Sequence, residues 1–331
     1  MSAPDPISSV ACVVVTYNGA AWLAQCISSL LSSTIPCKVI VVDNDSHDET
    51  VTIARSFPAV ELIQTGGNLG FGRANNMGIA RALAQGCARV FILNQDAHIE
   101  STALEILCTA SQSHPEAGIL CPMQLDDSGT AADPTFLCHY LAPFAAPLLN
   151  DALLSRQLLP TYVVEAAPAA AWLFTRQFLE TVGGFDPLFF MYCEDDDVCS
   201  RAGHHGFQIA IVPSARFYHC RGFHGQVVQE TRSRRLRRRT SRLRSAMVRD
   251  IKHPSGHFGK NTWQSLVWHS LQGLTALAAH LDWIEAAATL TATVRVLSEV
   301  PSIYRHRQIC RERGAHWLAR ANAASTNKAG S

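Results

Sequence analysis

Several features that would classify this chain quickly are missing. No stretch of ~18 uninterrupted apolar residues is present, so a spanning helix is not expected. The best candidate, Leu266 to Leu297, is interrupted by His269, His280, Asp282, Glu285 and Arg295. The opening Met1 to Ser9 has no basic start and no apolar signal core. The 11 cysteines form no CxxC pair and no framework spacing, which argues for a reducing compartment. Net charge is only +1, so the whole chain has no general pull toward nucleic acid. No Gly-Lys-Ser/Thr follows a glycine loop, and the first turn, Tyr17-Asn18-Gly19-Ala20, lacks the dinucleotide glycines. A dinucleotide oxidoreductase is disfavoured. The chain shows no internal repeat.

What is present is an apolar share of 47% in 331 residues, enough for one large domain with an appendage or for two domains. Strand-like and helix-like segments alternate. Val10 to Val15 is a β-branched run suited to a strand buried on both faces. Ala20 to Leu31 has helical spacing. Lys38 to Val42, Val60 to Ile63 and Ala88 to Leu93 read as further strands, and Arg73 to Gln85 as a helix. Ser46-His47-Asp48-Glu49 reads as a capping box. Such alternation predicts an α/β fold with a mostly parallel central sheet flanked by helices. Residues 121–160 read as loops. Ala171 to Phe174 and Gln208 to Val212 read as strands, the second stopped by Pro213, and Arg176 to Val182 as a helix ending at Gly183. The signal after Val227 is helical, and the tail after Ala319 reads as frayed.

Ligands of parallel sheets bind beyond the carboxyl ends of the strands. Those ends carry Thr16-Tyr17-Asn18-Gly19, Asp43-Asn44-Asp45-Ser46, Asn68-Leu69-Gly70-Phe71-Gly72 and Asn94-Gln95-Asp96. Asp43 and Asn44 sit where a nucleobase would lie. Asp96 is placed to hold a divalent cation that bridges a diphosphate. His219 can complete the shell of that metal, with His224 a second candidate and Arg221 a phosphate contact. Further on, Phe189-Phe190-Met191-Tyr192-Cys193 runs into Glu194-Asp195-Asp196-Asp197. An apolar wall and neighbouring carboxylates both raise a carboxyl's proton affinity, which suits a general base. An acidic first turn of a helix is the plain alternative.

Taken in order, Val13 to Asn18, Val41 to Ser46, Asn68 to Gly78, Leu93 to Asp96, Gly183 to Asp186, Phe189 to Tyr192, Glu194 to Asp197 with Arg201, and His219 resemble the GT-A-fold family 2 glycosyltransferases, in particular the rhamnosyltransferase-like bacterial branch. The resemblance spans roughly residues 10–225. It implies a Rossmann-like catalytic domain over 1–225, with a nucleotide-sugar half at about 1–120 and an acceptor half at about 121–225. A helical C-terminal extension over 226–331 follows. It also implies an inverting transferase that moves a hexose, rhamnose as first guess, from a dTDP- or UDP-sugar to a hydroxyl of a glycan or lipid-linked acceptor.

By position, Asp195 would be the general base. Thr16, Asn18, Asp43, Asn44, Asn68, Gly70 and Asp96 would line the donor site, and Glu194, Trp172 and Phe190 the acceptor site. Asp96 and His219 would bind a divalent metal, Mg or Mn, while Asp197 and Arg201 brace the acceptor loop. The chain departs from the branch at Gln95, where Pro is common, at Ala169 in place of Gly, and at Asp196, an often apolar position.

Nine arginines between Arg232 and Arg249 form a cationic stretch. Docking on the anionic inner face of the plasma membrane, by an otherwise cytoplasmic protein, is preferred to nucleic-acid binding. Trp263, Leu266, Val267, Leu271 and Leu274, with Trp268, have helical spacing; they either pack on the catalytic domain, the favoured reading, or lie in the membrane interface. Two other functions stay open. One is a non-catalytic nucleic-acid- or lipid-binding module using the arginine helix. The other is a nucleotidyltransferase, although the early Gly-rich, Arg/Lys-bearing loop of that class is missing.

Overall fold

A computed structural model describes residues 9–220, 231–280 and 282–318. Arg221, His224 and the tail after Ala319 lie outside them, as does most of Met1 to Ser9. The strands are β1 Val10–Thr16, β2 Cys37–Asp43, β3 Val60–Gln64, β4 Arg89–Asn94, β5 Ala97–Ile99, β6 Ala117–Asp126, β7 Tyr162–Val164, β8 Ala171–Thr175 and β9 Gln208–His219. They form one sheet in the order β3-β2-β1-β4-β8-β6-β9-β5, with β7 also on β9. The first half, β3-β2-β1-β4, is parallel as expected. Beyond β4 the sheet is mixed: β8 runs antiparallel to both β4 and β6, and β6 and β9 return to parallel pairing.

The helices are α1 Leu23–Leu31, α2 Thr50–Arg55, α3 Phe71–Ala84, α4 Ala103–Ser113, α5 Pro134–Phe136, α6 Ala142–Phe144, α7 Ala146–Leu153, α8 Arg176–Val182, α9 Glu194–His204, α10 Arg232–Lys252, α11 Phe258–His280 and α12 Trp283–Arg311. A π-helical turn, Leu137–Leu141, joins α5 to α6. The continuous apolar run of β1 is explained by burial on both faces. Ala11 and Val13 enter one core with α3 and α8, while Val10, Cys12 and Val14 enter a second with α1 and α4. Each such Val contributes about 1.5–3 kcal/mol on burial. The sheet is therefore a rigid wall that fixes the loops at its strand ends.

Three local expectations are corrected. Residues 134–153 are short helices rather than loops, started by Asp133, whose side chain accepts from Phe136 N at 2.9 Å. Pro213 does not stop β9, because the β6–β9 register slips from Pro122↔Val212 to Met123↔Arg216 and accommodates it. Ser46 caps no helix: α2 starts at Thr50. The Asp48 carboxylate accepts from Ala20 N at 3.2 Å and Thr50 N at 3.1 Å, tying the two loops together.

The C-terminal helices share a core with the residues before 225. Phe189 packs with Leu243, Met247, Val248 and Ile251 of α10, and with Ala292 and Val296 of α12. The sequence division near 225 thus falls between parts joined by common packing.

Candidate active site

The donor edge is braced by its own polar groups. Thr16 and Asp43 are paired at the ends of β1 and β2. The Thr16 hydroxyl is buried and donates to Gln95 Oε1 at 2.6 Å, which also accepts from Tyr17 N at 2.9 Å. A Cβ on Gly19 would meet the same Gln95 oxygen at 2.2 Å, so this approach needs glycine. Asn18, with φ of 48°, accepts from His47 N at 2.9 Å. Asn44 accepts from Leu69 N at 2.8 Å and donates to Asn68 Oδ1 at 3.1 Å. Asn68 in turn accepts from Gly70 N at 3.0 Å. Gly70 has φ of 82° and lies against the carbonyl of Phe190, where a Cβ would sit 2.2 Å from that oxygen. The 68–70 loop and the loop at Phe190 therefore touch.

Asp96 follows β4, and His219 ends β9. Their side chains approach to 3.3 Å, Oδ1 to Nε2. On its other side His219 Nδ1 meets Gln124 Nε2 at 2.7 Å, while Gln124 Oε1 is buried without a partner. Turning that amide over would let Oε1 accept from Nδ1–H and leave the Nε2 lone pair facing Asp96. The pair then fits a divalent cation with one carboxylate, one imidazole and positions left for phosphate oxygens and water.

Opposite this pair stands the start of α9. Tyr192 and Cys193 both adopt positive φ, 73° and 63°. Non-glycine residues in this region store strain, and here the strain turns Glu194 and Asp195 into the cleft. The turn is held from α10, where the Ser245 hydroxyl donates to Met191 O at 3.1 Å and Arg242 lies 4.6 Å over the Tyr192 ring. Burial, then Asp196, pushes the Asp195 carboxyl up to about 6. Burial, then Asp195, pushes Glu194 up to about 8. The Tyr140 hydroxyl, itself held protonated mainly by burial, donates to Asp195 Oδ2 at 3.4 Å. Near neutral pH Asp195 is thus mostly a carboxylate able to take a proton, whereas Glu194 is mostly the neutral acid.

Asp96, His219, Asn94, Glu194 and Asp195 line one cleft of about 680 Å³, together with Tyr140, Pro168 to Ala170 and Arg242. The family model described as glycosyl transferase family 2 matches residues 11–181. The chain belongs to that family.

Family 2 relatives point the same way. An N-acetylglucosaminyl-diphospho-decaprenol L-rhamnosyltransferase of Mycobacterium tuberculosis is 30% identical over 228 residues, covering 62% of this chain and 74% of the relative. The dTDP-rhamnosyl transferase RfbF of Shigella flexneri is 23% identical over 215 residues, covering 65% of this chain and 70% of the relative. In fold, the chain is similar to S. aureus TarS residues 1–349 solved with UDP, with a TM-score of 0.53, 14% identity, and 98% of this chain and 92% of that one covered. The protein is a rhamnosyltransferase-like family 2 glycosyltransferase, an enzyme on a GT-A-type α/β fold.

Seen as a family 2 enzyme, the chain brings together Asp96, His219, Glu194 and Asp195 as expected. Asp43 is buried at the same sheet edge, where it accepts from Ser46 N at 3.3 Å, but it does not line this cleft. Asn44 is buried, accepts from Leu69 N and donates to Asn68 Oδ1, and so shapes the 68–70 loop. Trp172 is corrected: it is fully buried, stacked on Phe185 and edge-on to Phe174, under the cleft rather than in it. Phe190 is half-exposed at the rim beside Gly70.

The arginine helix is not a free cationic stripe. Arg235 pairs with Asp282, Arg239 with Glu285, Arg244 with Glu299, and Arg249 with Asp196 and Asp250. The packing expected of α11 is also corrected. Leu266 is buried, but Trp263, Val267, Trp268, Leu271 and Leu274 are all more than half exposed. Sequence reasoning assigned no site role to Gln95, Gln124, Tyr140 or Arg242. Only Gln95 stood out in the sequence, through its place inside the Asn94-Gln95-Asp96 triplet.

Proposed function

We propose that this glycosyltransferase inverts configuration as it moves a sugar, with rhamnose the first candidate, from a dTDP- or UDP-sugar to a hydroxyl of a lipid-linked acceptor. The observation that carries the reading is the placement of Asp195 and the Asp96–His219 pair in one cleft. The donor diphosphate lies on the Asp96 side, and the acceptor enters over Pro168 to Ala170, Tyr192 and Glu194. Asp195 takes the proton from the acceptor hydroxyl as its oxygen attacks the anomeric carbon from the face away from the nucleotide. Tyr140 and the α9 turn hold that carboxylate at its post. Glu194, kept neutral, donates a hydrogen bond to an acceptor oxygen. Asp96 and His219 would hold a Mg or Mn ion, which when bound neutralises charge on the departing diphosphate.

The rhamnosyl donor is supported by the printed activities of the relatives from M. tuberculosis and S. flexneri. The lipid-linked acceptor is supported by the first of them. A panel of nucleotide sugars, screened by thermal shift with and without Mn²⁺, tests the donor. A metal-dependent shift with a dTDP- or UDP-sugar is expected, and Asp96→Ala should reduce it. An Asp96→Ala variant with unaltered donor affinity in Mn²⁺ would remove the metal role.

Bilayer contact is a second element of the proposal, through the 263–274 stretch rather than the arginine helix. No helix among the described residues is long and apolar enough to cross a membrane. The exposed face of α11 is continued on α12 by Trp283, Leu290, Val294 and Leu297, and such a face suits the interfacial region. Trp268→Glu should reduce flotation with anionic vesicles, whereas an unchanged floating fraction would move the contact elsewhere.

A further inference from the structure

The arginines of α10 divide into two sets with different surroundings. Arg235, Arg239, Arg244 and Arg249 each meet a carboxylate. Arg242 does not. Its guanidinium is exposed, rests on the Tyr192 ring at 4.6 Å, and has no carboxylate partner among the described residues. Among the described residues it is also the one arginine or lysine lining the 680 Å³ cleft, whose acidic walls are Asp96, Glu194, Asp195 and Asp196. On its far side Arg242 borders a polar recess of about 260 Å³ shared with Arg235, Arg238 and Arg239. The carboxylates of Asp96, Asp195 and Asp196 repel an anionic acceptor unless a cation receives the negative group. Arg242 stands at the end of the cleft where the acceptor would enter, and its fork geometry suits phosphate oxygens.

We propose that Arg242 anchors the phosphate of an acceptor whose sugar is joined to its carrier through a phosphate or diphosphate ester. The aromatic ring beneath it keeps the guanidinium planar to the entrance and free of a competing acid. The anchored phosphate then fixes the acceptor sugar one ring's length from the anchor, which presents its hydroxyl to Asp195. This inference rests on the glycosyl-transfer reading above and narrows it to an anionic acceptor class.

The test compares two acceptors with the same sugar and alkyl chain, one joined through a diphosphate and one a neutral glycoside. The full chain is used, with donor binding measured in parallel. For the wild type, kcat/KM is expected to be about tenfold or more higher for the diphosphate acceptor, since charge-assisted hydrogen bonds are the stronger class. That preference should weaken as salt is raised. In Arg242→Gln the ratio between the two acceptors should collapse toward one, mainly through KM, and Arg242→Lys should restore part of it. An alkyl monophosphate acceptor separates the single phosphate from the diphosphate as the recognised group. A ratio unchanged in Arg242→Gln overturns the proposal, as does an equal loss on both acceptors, which would make Arg242 a support for Tyr192 alone. A wild type that uses both acceptors equally overturns it while leaving the transfer reading intact. A wild type that binds donor but glycosylates neither acceptor overturns the transfer reading and this inference with it.

Discussion

Two groups of acids lie within a few residues of one another and behave oppositely. Glu194 and Asp195 face the cleft, with no lysine or arginine among the described residues bonded to either, and both carboxyls are pushed up. Asp186 and Asp197 lie on the far side of the same loop, fully enclosed. Lys252 reaches Asp186 at 2.7 Å and also bonds Asp197, His306 Nδ1 meets Asp186 at 2.7 Å, and Arg201 Nε donates to Asp197 at 2.9 Å. Despite burial, Asp186 is held far below the usual carboxylate range by Lys252 and His306. Burial alone therefore does not decide what a carboxyl does; the placement of cations does. One group is left able to take up a proton; in the other Asp186 is held as an anion, and the Lys252 bonds to Asp186 and Asp197, with His306 on Asp186, pin α9 to α10 and α12.

The comparison breaks most visibly at Asp195. Asp195→Asn removes the proposed base and should lower kcat by about 10²–10⁴, with donor binding retained in a thermal-shift titration. The variant should melt no lower than the wild type near pH 7, because it removes a carboxylate held in an unfavourable place. A near wild-type rate would show that another group takes the proton.

Lys252→Met strikes the other group. It strands Asp186 and Asp197 without their main cation, and breaking a buried pair costs about 3–5 kcal/mol. Chemical denaturation should show that loss, and it should exceed the effect of Arg235→Met at the exposed end of α10. The sign with pH also differs between the groups. Asp186 has a depressed folded pKa, so its contribution is present above the ordinary aspartate value and is lost as pH falls through the folded one. Asp195 has a raised pKa, so kcat/KM should rise with pH through about 6, and it should fall again through about 8 as Glu194 loses the proton it donates. The smallest effect is expected from Asp196→Asn, which removes the neighbouring negative charge and should move that acid limb to lower pH. A limb that moves upward would place the titrating group elsewhere.

Much of this arrangement was legible before any coordinates. The strand–helix alternation gave the parallel half because local patterns of two and 3.6 residues specify it. Asp96, Asp195 and His219 were legible because each sits at the end of an element or at an abrupt change of polarity. What escaped depended on partners distant in sequence. Nothing near Trp172 says that Phe185 will stack on it. Nothing near Arg239 or Arg244 reveals that Glu285 and Glu299 await them. Pro213 looked like a stop because the slip in β9 that admits it is set by pairing with β6. Arg242 could be told from its neighbours only after those neighbours had found their acids.

The two left-handed residues, Tyr192 and Cys193, are supported from beyond position 240, well past the matched family segment. An exchange of C-terminal tails between such enzymes would thus transplant more than an appendage. It would carry along the setting of the reactive carboxyl, so preference for a carrier and competence for chemistry are inherited as one piece.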